Sequence, residues 1–414
     1  MLFLKLWLLV SIKPLWLRWL SVIASLAQII ILFKLLAKIF DKKTALITTF
    51  LISTSAYNIF WSIQVRSYPF FLLFQLIYLL IFIKAQEKNF LWWILLGLIG
   101  FINFSIEYGF FWLYISVNLF FLLNSIFIKK PHKNVFLGWI VSNILTLFLF
   151  LPYFLKFIEW SSRSPQYSIL NVDKILGLHQ PSLKTIVSLI YLYLTNSLID
   201  TQNLFLLAYV IFFVINILYG SLNILRHRWG LFIIFISYVP LLLAVTTSLL
   251  ISPVITDYQI MISSIGFFII IGNLLSDKKQ LVYLILPLFL VINLWQYGNY
   301  LKTGNYQGWQ SALKYLSNTL DRNDFIAFYP NYFHQSYEYN YQLLNLPKFN
   351  QPKIIPVETP NDLIRAKSFY PQQKFCYLVT NLIEDRNINL LLKNDHYELR
   401  NFRTLKVYCL SGNL

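Results

Sequence analysis

Charge is thin in this chain, and acidic charge thinnest of all. Of 414 residues, 17 are Asp or Glu against 34 Lys or Arg, and no acid occurs before Asp41. Charged side chains make up 12%, where a soluble domain carries roughly 25%, so a water-soluble globule is excluded. Cysteine is nearly absent: Cys376 and Cys409 are the two, both within the last forty residues, and no Cys/His spacing of the zinc type exists. No Gly-rich phosphate loop is present, since Leu301-Lys-Thr-Gly-Asn305 is too short a signal. A signal peptide is not evident either, because Lys5 interrupts the first apolar stretch and no small-residue cleavage site follows it.

What the chain has in abundance is apolar and aromatic surface. Hydrophobic residues are 57% of it, with 12 Trp, 27 Tyr and 37 Phe. They fall into separate runs near the ~20 residues that a hydrocarbon core of about 30 Å demands. The fold class expected is an α-helical polytopic membrane protein of about ten spans, at 20–39, 44–63, 69–84, 90–106, 108–128, 134–153, 204–224, 230–250, 257–275 and 281–297. Basic residues alternate between the connections. One set holds Lys38, Lys42 and Lys43, then Lys84 and Lys88, Lys129, Lys130 and Lys133, Arg226 and Arg228, and Lys278 and Lys279. The other holds Arg66, the stretch 154–203 and Ser252 to Thr256. The positive-inside rule puts the first set in the cytoplasm and the second, with the C-terminal tail, outside it. Most of the net charge of +17 thus orients helices, and nucleic acid is not an expected partner.

Three domains are expected. Residues 1–19, with Lys5, Lys13, Pro14 and Arg18, suit an interfacial N-terminal segment. Residues 20–297 form the membrane domain, whose external loop 154–203 ends in an apolar segment, Leu183 to Leu198, placed in the interface or capping the bundle. From 298 charges return and apolar runs shorten, predicting a small extracytoplasmic α/β domain. Its helices are expected at Gly308–Asn318 and after Asn331, and its strands at Asp324–Tyr329, Lys353–Val357, Phe375–Thr380 and Leu405–Leu410. Both cysteines lie in strand-like runs; the pattern suits two buried thiols, with one disulfide between neighbouring strands as the alternative.

The run Trp61-Ser-Ile-Gln-Val-Arg66-Ser-Tyr68-Pro69 stands out because it lies between two spans. A guanidinium at a membrane edge needs an anionic partner or water, and such a charge marks a functional site by default. A lipid phosphate fits that need.

Together with Thr44 to Ile63 before it and Lys84-Ala85 after the next span, this run resembles the GT-C glycosyltransferases, among them the protein O-mannosyltransferases and the aminoarabinose transferase of lipid A. Two further stretches share the likeness: Leu6-Trp7 through Arg18-Trp-Leu-Ser21, and Trp309-Gln-Ser-Ala-Leu-Lys-Tyr-Leu316 with Asp324-Phe-Ile326. The resemblance implies transfer of a sugar from a polyprenyl-phosphate donor to a glycan, lipid or protein acceptor at the extracytoplasmic face of a plasma (inner) membrane. No cofactor is implied, and divalent-metal dependence is left open.

Such chemistry needs a cation at the donor phosphate and a carboxylate to take the acceptor proton. Arg66 and Tyr68 are the phosphate candidates, with Arg18 and Arg163 assisting. Glu107 and Asp257 are the catalytic candidates among the external acids, which also include Glu159, Asp173 and Asp200. His179 and His334 are single histidines without ligand partners. The family's first span and its acidic loop have no counterpart after Met1, and Thr256-Asp257-Tyr258 stands where the family often has arginine before tyrosine. Three readings follow: a complete transferase, a lipid-linked oligosaccharide polymerase or flippase, and a non-catalytic remnant of the family.

Overall fold

The computed structural model describes residues 7, 9–11, 13–87, 89–128, 131–163, 183–196, 203–250, 260–303, 309–329, 333–344, 352–356, 374–380, 397–402 and 405–410. The chain divides into two compact units, Met1–Asn299 and Tyr300–Leu414.

The first unit is helical: α1 (Pro14–Ile39), α2 (Lys42–Thr54), α3 (Ala56–Ser62), α4 (Tyr68–Ala85), α5 (Phe90–Ile106), α6 (Phe110–Leu123), α7 (Lys133–Arg163), α8 (Leu183–Thr195), α9 (Leu204–Ile224), α10 (Gly230–Leu250), α11 (Met261–Asp277) and α12 (Lys279–Thr303). Among the described residues seven of these stretches are long and apolar enough to cross a membrane: 15–39, 68–85, 110–128, 133–156, 204–224, 230–250 and 280–299. Two more, 90–106 and 261–277, are apolar but shorter. The protein is a polytopic α-helical membrane protein.

Local sequence explains where the helices begin. Pro14 opens α1 and Pro69 sits in the first turn of α4, where a missing N–H costs nothing. Asp41 caps α2 by accepting from the Thr44 N–H at 2.7 Å, and Asn89 caps α5 through Leu91. Two expectations need correction. The first apolar helix starts at Pro14, so Arg18 lies on the helix itself and not in a separate interfacial segment. The run 44–63 is broken at Ser55, whose extended backbone (φ −66°, ψ 124°) separates α2 from α3. For the segment 183–198 the structure bears against the interfacial alternative and not against the capping one: α8 packs on α3 and α9, burying Leu189, Tyr191, Tyr193 and Leu194.

Contacts gather the basic connections at one end of the bundle. Lys38 pairs with Glu87 at 2.7 Å, Lys43 donates to the Ser276 carbonyl, and Asn223 donates to Asp277 at 2.7 Å. Phe40 meets the His227 ring edge-on at 5.4 Å. The turn carrying Arg66 follows α3, and so lies at the other end.

Inside the bundle α11 is the axle: every residue from Met261 to Leu275 is buried. A helix buried on all faces must be apolar all round, and close approach comes from small residues. A Cβ added at Gly272 would lie 2.0 Å from Thr48 Oγ1 of α2, and one at Gly266 would lie 2.8 Å from Ser237 Cα of α10.

The second unit holds α13 (Trp309–Thr319), β1 (Phe325–Tyr329), α14 (Phe333–Leu343), β2 (Lys353–Pro356), β3 (Phe375–Thr380), β4 (Tyr397–Phe402) and β5 (Leu405–Leu410). The sheet order is β2-β1-β3-β5-β4, with β1 parallel to β2 and β3, and β5 antiparallel to β3 and β4. One sheet face, with Ile326, Phe328 and Leu378, packs against Ala312 and Leu316 of α13 and Tyr337 of α14. Asp324, in the stretch that resembled the family, is structural: its carboxylate accepts from the Asp321 N–H at 2.7 Å and the Lys374 N–H at 3.2 Å, joining the starts of β1 and β3.

Cys376 and Cys409 correct another expectation. They stand directly opposite in the antiparallel β3–β5 pair, with Cα atoms 4.1 Å apart, and form a disulfide. The sequence could not show that register, because β4 and the hairpin it makes with β5 were not expected. Replacing both cysteines by alanine is expected to destabilise the C-terminal unit by about 2–4 kcal/mol. The measurement is protease sensitivity of 300–414 across a urea series; identical curves for the native and Cys376→Ala/Cys409→Ala chains would contradict the bond.

Candidate functional site at the Arg66 turn

Between α3 and α4 the chain makes a tight turn, with the Arg66 N–H donating to the Gln64 carbonyl at 2.9 Å and Gln64 N–H to Trp61 at 3.3 Å. Two side chains of α1 hold it from outside. Ser21 Oγ donates to the Gln64 carbonyl at 2.7 Å, and Gln28 Nε2 donates to the Pro69 carbonyl. Ser21 and Gln28 are seven residues apart, two helical turns along one face, and they grip the chain on either side of Arg66. Arg18 lies one turn earlier on that face and is half-buried. The Arg66 side chain is exposed, and its guanidinium makes no hydrogen bond or ion pair among the described residues. Tyr68 packs its ring edge-on against Trp61, centroids 4.8 Å apart at 88°.

The direction of α3 depends on the break at Ser55. The Ala56 N–H, freed by the break, donates to Asn293 Oδ1 of α12 at 2.7 Å, and Asn293 Nδ2 donates in turn to the Phe289 carbonyl. Tyr57 meets Tyr193 of α8 at 5.0 Å, and the Tyr193 hydroxyl donates to the Ile260 carbonyl just before α11. Irregular backbone at membrane depth is tolerated where protein satisfies it, and here it is buried among four helices.

Beside the turn is a small pocket, open in part to solvent and with room for about one water molecule, whose wall is part polar and part apolar. Ser25 and Gln28 of α1, Asn58 and Trp61 of α3, Leu72 of α4 and Met261 of α11 line it. Asn58 Nδ2 is buried and has no hydrogen-bond partner among the described residues.

The other expected residues sit as follows. Glu107 occupies the turn between α5 and α6, half-buried, its N–H bonded to the Asn103 carbonyl at 3.0 Å. Burial pushes its carboxyl above the usual value. Asn103 Nδ2 donates to the Phe74 carbonyl at 3.1 Å, and the antiparallel run of α4 and α5 then brings Glu107 to the Arg66 end of the bundle. No bond joins Glu107 to Arg66 among the described residues. Arg163 closes α7, but its side chain lies outside the described residues, as do Asp257, Asp173, Asp200 and His179. Glu159 is exposed on α7. Among the described residues no three His, Cys, Asp or Glu side chains gather as metal ligands would. The structure therefore joins Arg66, Tyr68 and the Arg18 face of α1 in one region and leaves Glu107 at the same end but apart.

Residues 2–155 match the family model of the dolichyl-phosphate-mannose-protein mannosyltransferases. The matched stretch runs from α1 into α7 and contains Arg18, Arg66, Tyr68 and Glu107, so the GT-C likeness carried by the Trp61–Tyr68 motif stands over that part of the chain. Among solved structures, the chain is similar to ArnT from Cupriavidus metallidurans in the apo state, at 7% identity and a TM-score of 0.44, covering 95% of this chain and 83% of that one. None of the curated proteins matches.

Sequence reasoning missed Ser21, Gln28, Asn58 and Asn293. The seven-residue spacing of Ser21 and Gln28 was a visible signal of one helix face; nothing local marked Asn293 as a cap for a break more than two hundred residues away.

Glu107 gives a pH prediction. With its carboxyl raised in the folded state, that state keeps a proton the unfolded chain has already lost, so stability falls as pH rises through the window above the ordinary value. Glu107→Gln removes the buried charge and is expected to raise the melting temperature in detergent at pH 8, with the gain shrinking towards pH 4. Equal gains at both pH values would show that titration of Glu107 is not the cause.

Proposed function

We propose that the chain is a membrane glycosyltransferase that moves a sugar from a polyprenyl-phosphate donor to an acceptor on the extracytoplasmic side. The observation that carries this reading is Arg66: an exposed guanidinium, without a partner among the described residues, on a turn held by Ser21 and Gln28. A cation with unengaged N–H donors is what a phosphate diester requires, because guanidinium donors match its oxygens in a bidentate fork. The match of residues 2–155 to a family of mannosyltransferases supports the sugar-transfer class.

In the reaction the bond between the sugar's anomeric carbon and the phosphate oxygen breaks, and an acceptor oxygen or nitrogen forms the new bond. The electron pair of the broken bond stays on the polyprenyl phosphate, whose growing charge Arg66 stabilises, with Tyr68 and Arg18 on the same side of the turn. The acceptor's proton goes to a carboxylate. Glu107 is the described candidate, since a carboxylate whose affinity for a proton is raised by burial is the stronger base; Asp257 is the second. Two observations support the extracytoplasmic side. The Arg66 turn is at the end opposite the gathered basic connections, and the Cys376–Cys409 disulfide suits an oxidising compartment such as the one outside a plasma membrane.

Membranes containing the chain are expected to transfer labelled sugar from polyprenyl-phosphate donors, and Arg66→Ala to lower kcat/KM about 10²- to 10³-fold. Arg66→Lys is expected to keep part of the rate, retaining charge without the fork. Full activity in Arg66→Ala, with normal insertion, would remove Arg66 from the mechanism.

A further inference from the structure

The pocket beside the Arg66 turn has a chemistry of its own. Its walls carry amide, hydroxyl and indole groups from Ser25, Gln28, Asn58 and Trp61, and no ionisable side chain lines it. No charged group on that wall selects an anion, and a hydrocarbon chain would leave its polar atoms unpaired. Buried polar atoms are nearly always hydrogen-bonded, yet Asn58 Nδ2 has no partner among the described residues. Two of its neighbours make bonds of their own: Gln28 Nε2 gives one N–H to the Pro69 carbonyl, and Ser62 Oγ, also on the wall, donates to the Ile59 carbonyl at 2.7 Å. Asn58 Nδ2 is therefore a spare donor on the pocket wall, and it calls for an acceptor oxygen of small size.

We infer that this pocket receives one neutral hydroxyl of the donor's sugar, with Asn58 Nδ2 donating to it. The inference rests on the glycosyltransferase reading and deepens it. In a sugar phosphate the anion and an uncharged polyhydroxyl ring are bonded side by side. Here a free cation and a neutral polar pocket are also side by side, Arg66 following Trp61 and Ser62 within one turn of chain. The helix break supports the arrangement: Asn58 lies in the first turn of α3, whose start is tied by Ala56 to Asn293, so the donor is carried on a supported element. Asn58 is then a specificity-determining residue, and it takes no proton in the reaction.

Discrimination follows from the unpaired donor. A donor sugar lacking the docked hydroxyl leaves Asn58 unsatisfied again, and a site built to bond a hydroxyl rejects the analogue without it. The test uses the full chain in membranes and a set of polyprenyl-phosphate sugars, each missing one hydroxyl. The native chain is expected to transfer one of these about 10- to 100-fold less well in kcat/KM than the parent sugar. In Asn58→Leu and Asn58→Ala that preference is expected to collapse to within about threefold, while Arg66→Ala slows parent and deoxy donors alike. Each comparison is a ratio within one preparation, so it does not depend on how much of a variant folds. Transfer by the native chain with no deoxy donor disfavoured, or with the preference intact in both Asn58 variants, overturns the inference; the pocket then holds only a structural water. Absence of transfer by the native chain from every donor would instead overturn the glycosyltransferase reading on which it rests.

Discussion

Within hydrocarbon no backbone N–H or carbonyl can be left to water, and this single constraint governs the geometry around Arg66. A straight helix over 42–62 would satisfy every bond and aim the following turn along its own axis. Instead the chain breaks at Ser55, and the break is stable because Asn293 takes the Ala56 N–H. From that bond follow the direction of α3, the position of Trp61 against Tyr68, and the place where the turn emerges. The clamp from Ser21 and Gln28 then fixes a turn whose approach the Asn293 bond has already set.

Around this point the bundle is organised by close packing more than by bonds. The buried axle α11 lets α2 and α10 approach because Gly272 and Gly266 leave no Cβ in the way. Between helices in lipid there is no hydrophobic drive to pack one apolar face on another, so small residues and van der Waals fit do most of it. Rigidity at the core supports precision at the rim: α12, which supplies Asn293, follows directly from α11, and α3 is the short continuation of the α2 that packs on it.

Much of the architecture was legible in the sequence because long apolar runs and alternating basic loops are global signals. The runs later seen as α4, α9 and α10 were visible within a few residues, and so were β1, β3, β5 and the helices beside them. What was not legible depends on partners distant in sequence. Hydropathy cannot distinguish the broken α2–α3 pair from one continuous span, since Ser55 is as ordinary as its neighbours until Asn293 arrives beside it. The same applies to the cysteines, whose pairing depends on strand register, and to α8, a segment expected in the interface or capping the bundle, whose Tyr191 and Tyr193 pack inward. At the site, Arg66 was found because a charge in such a setting is costly and therefore conspicuous. Asn58 was not, because a neutral amide is costly only once buried without a partner.

The Cys376–Cys409 bond has a practical consequence for how the molecule can be interrogated. Both sulfur nucleophiles of the chain are consumed in it, so the whole helical unit is chemically blank towards thiol reagents. One cysteine introduced at any connection becomes the sole reactive thiol. Its labelling by membrane-impermeant or permeant maleimides then reads, position by position, which ends of the helices meet which aqueous phase, without first stripping the native sequence of anything.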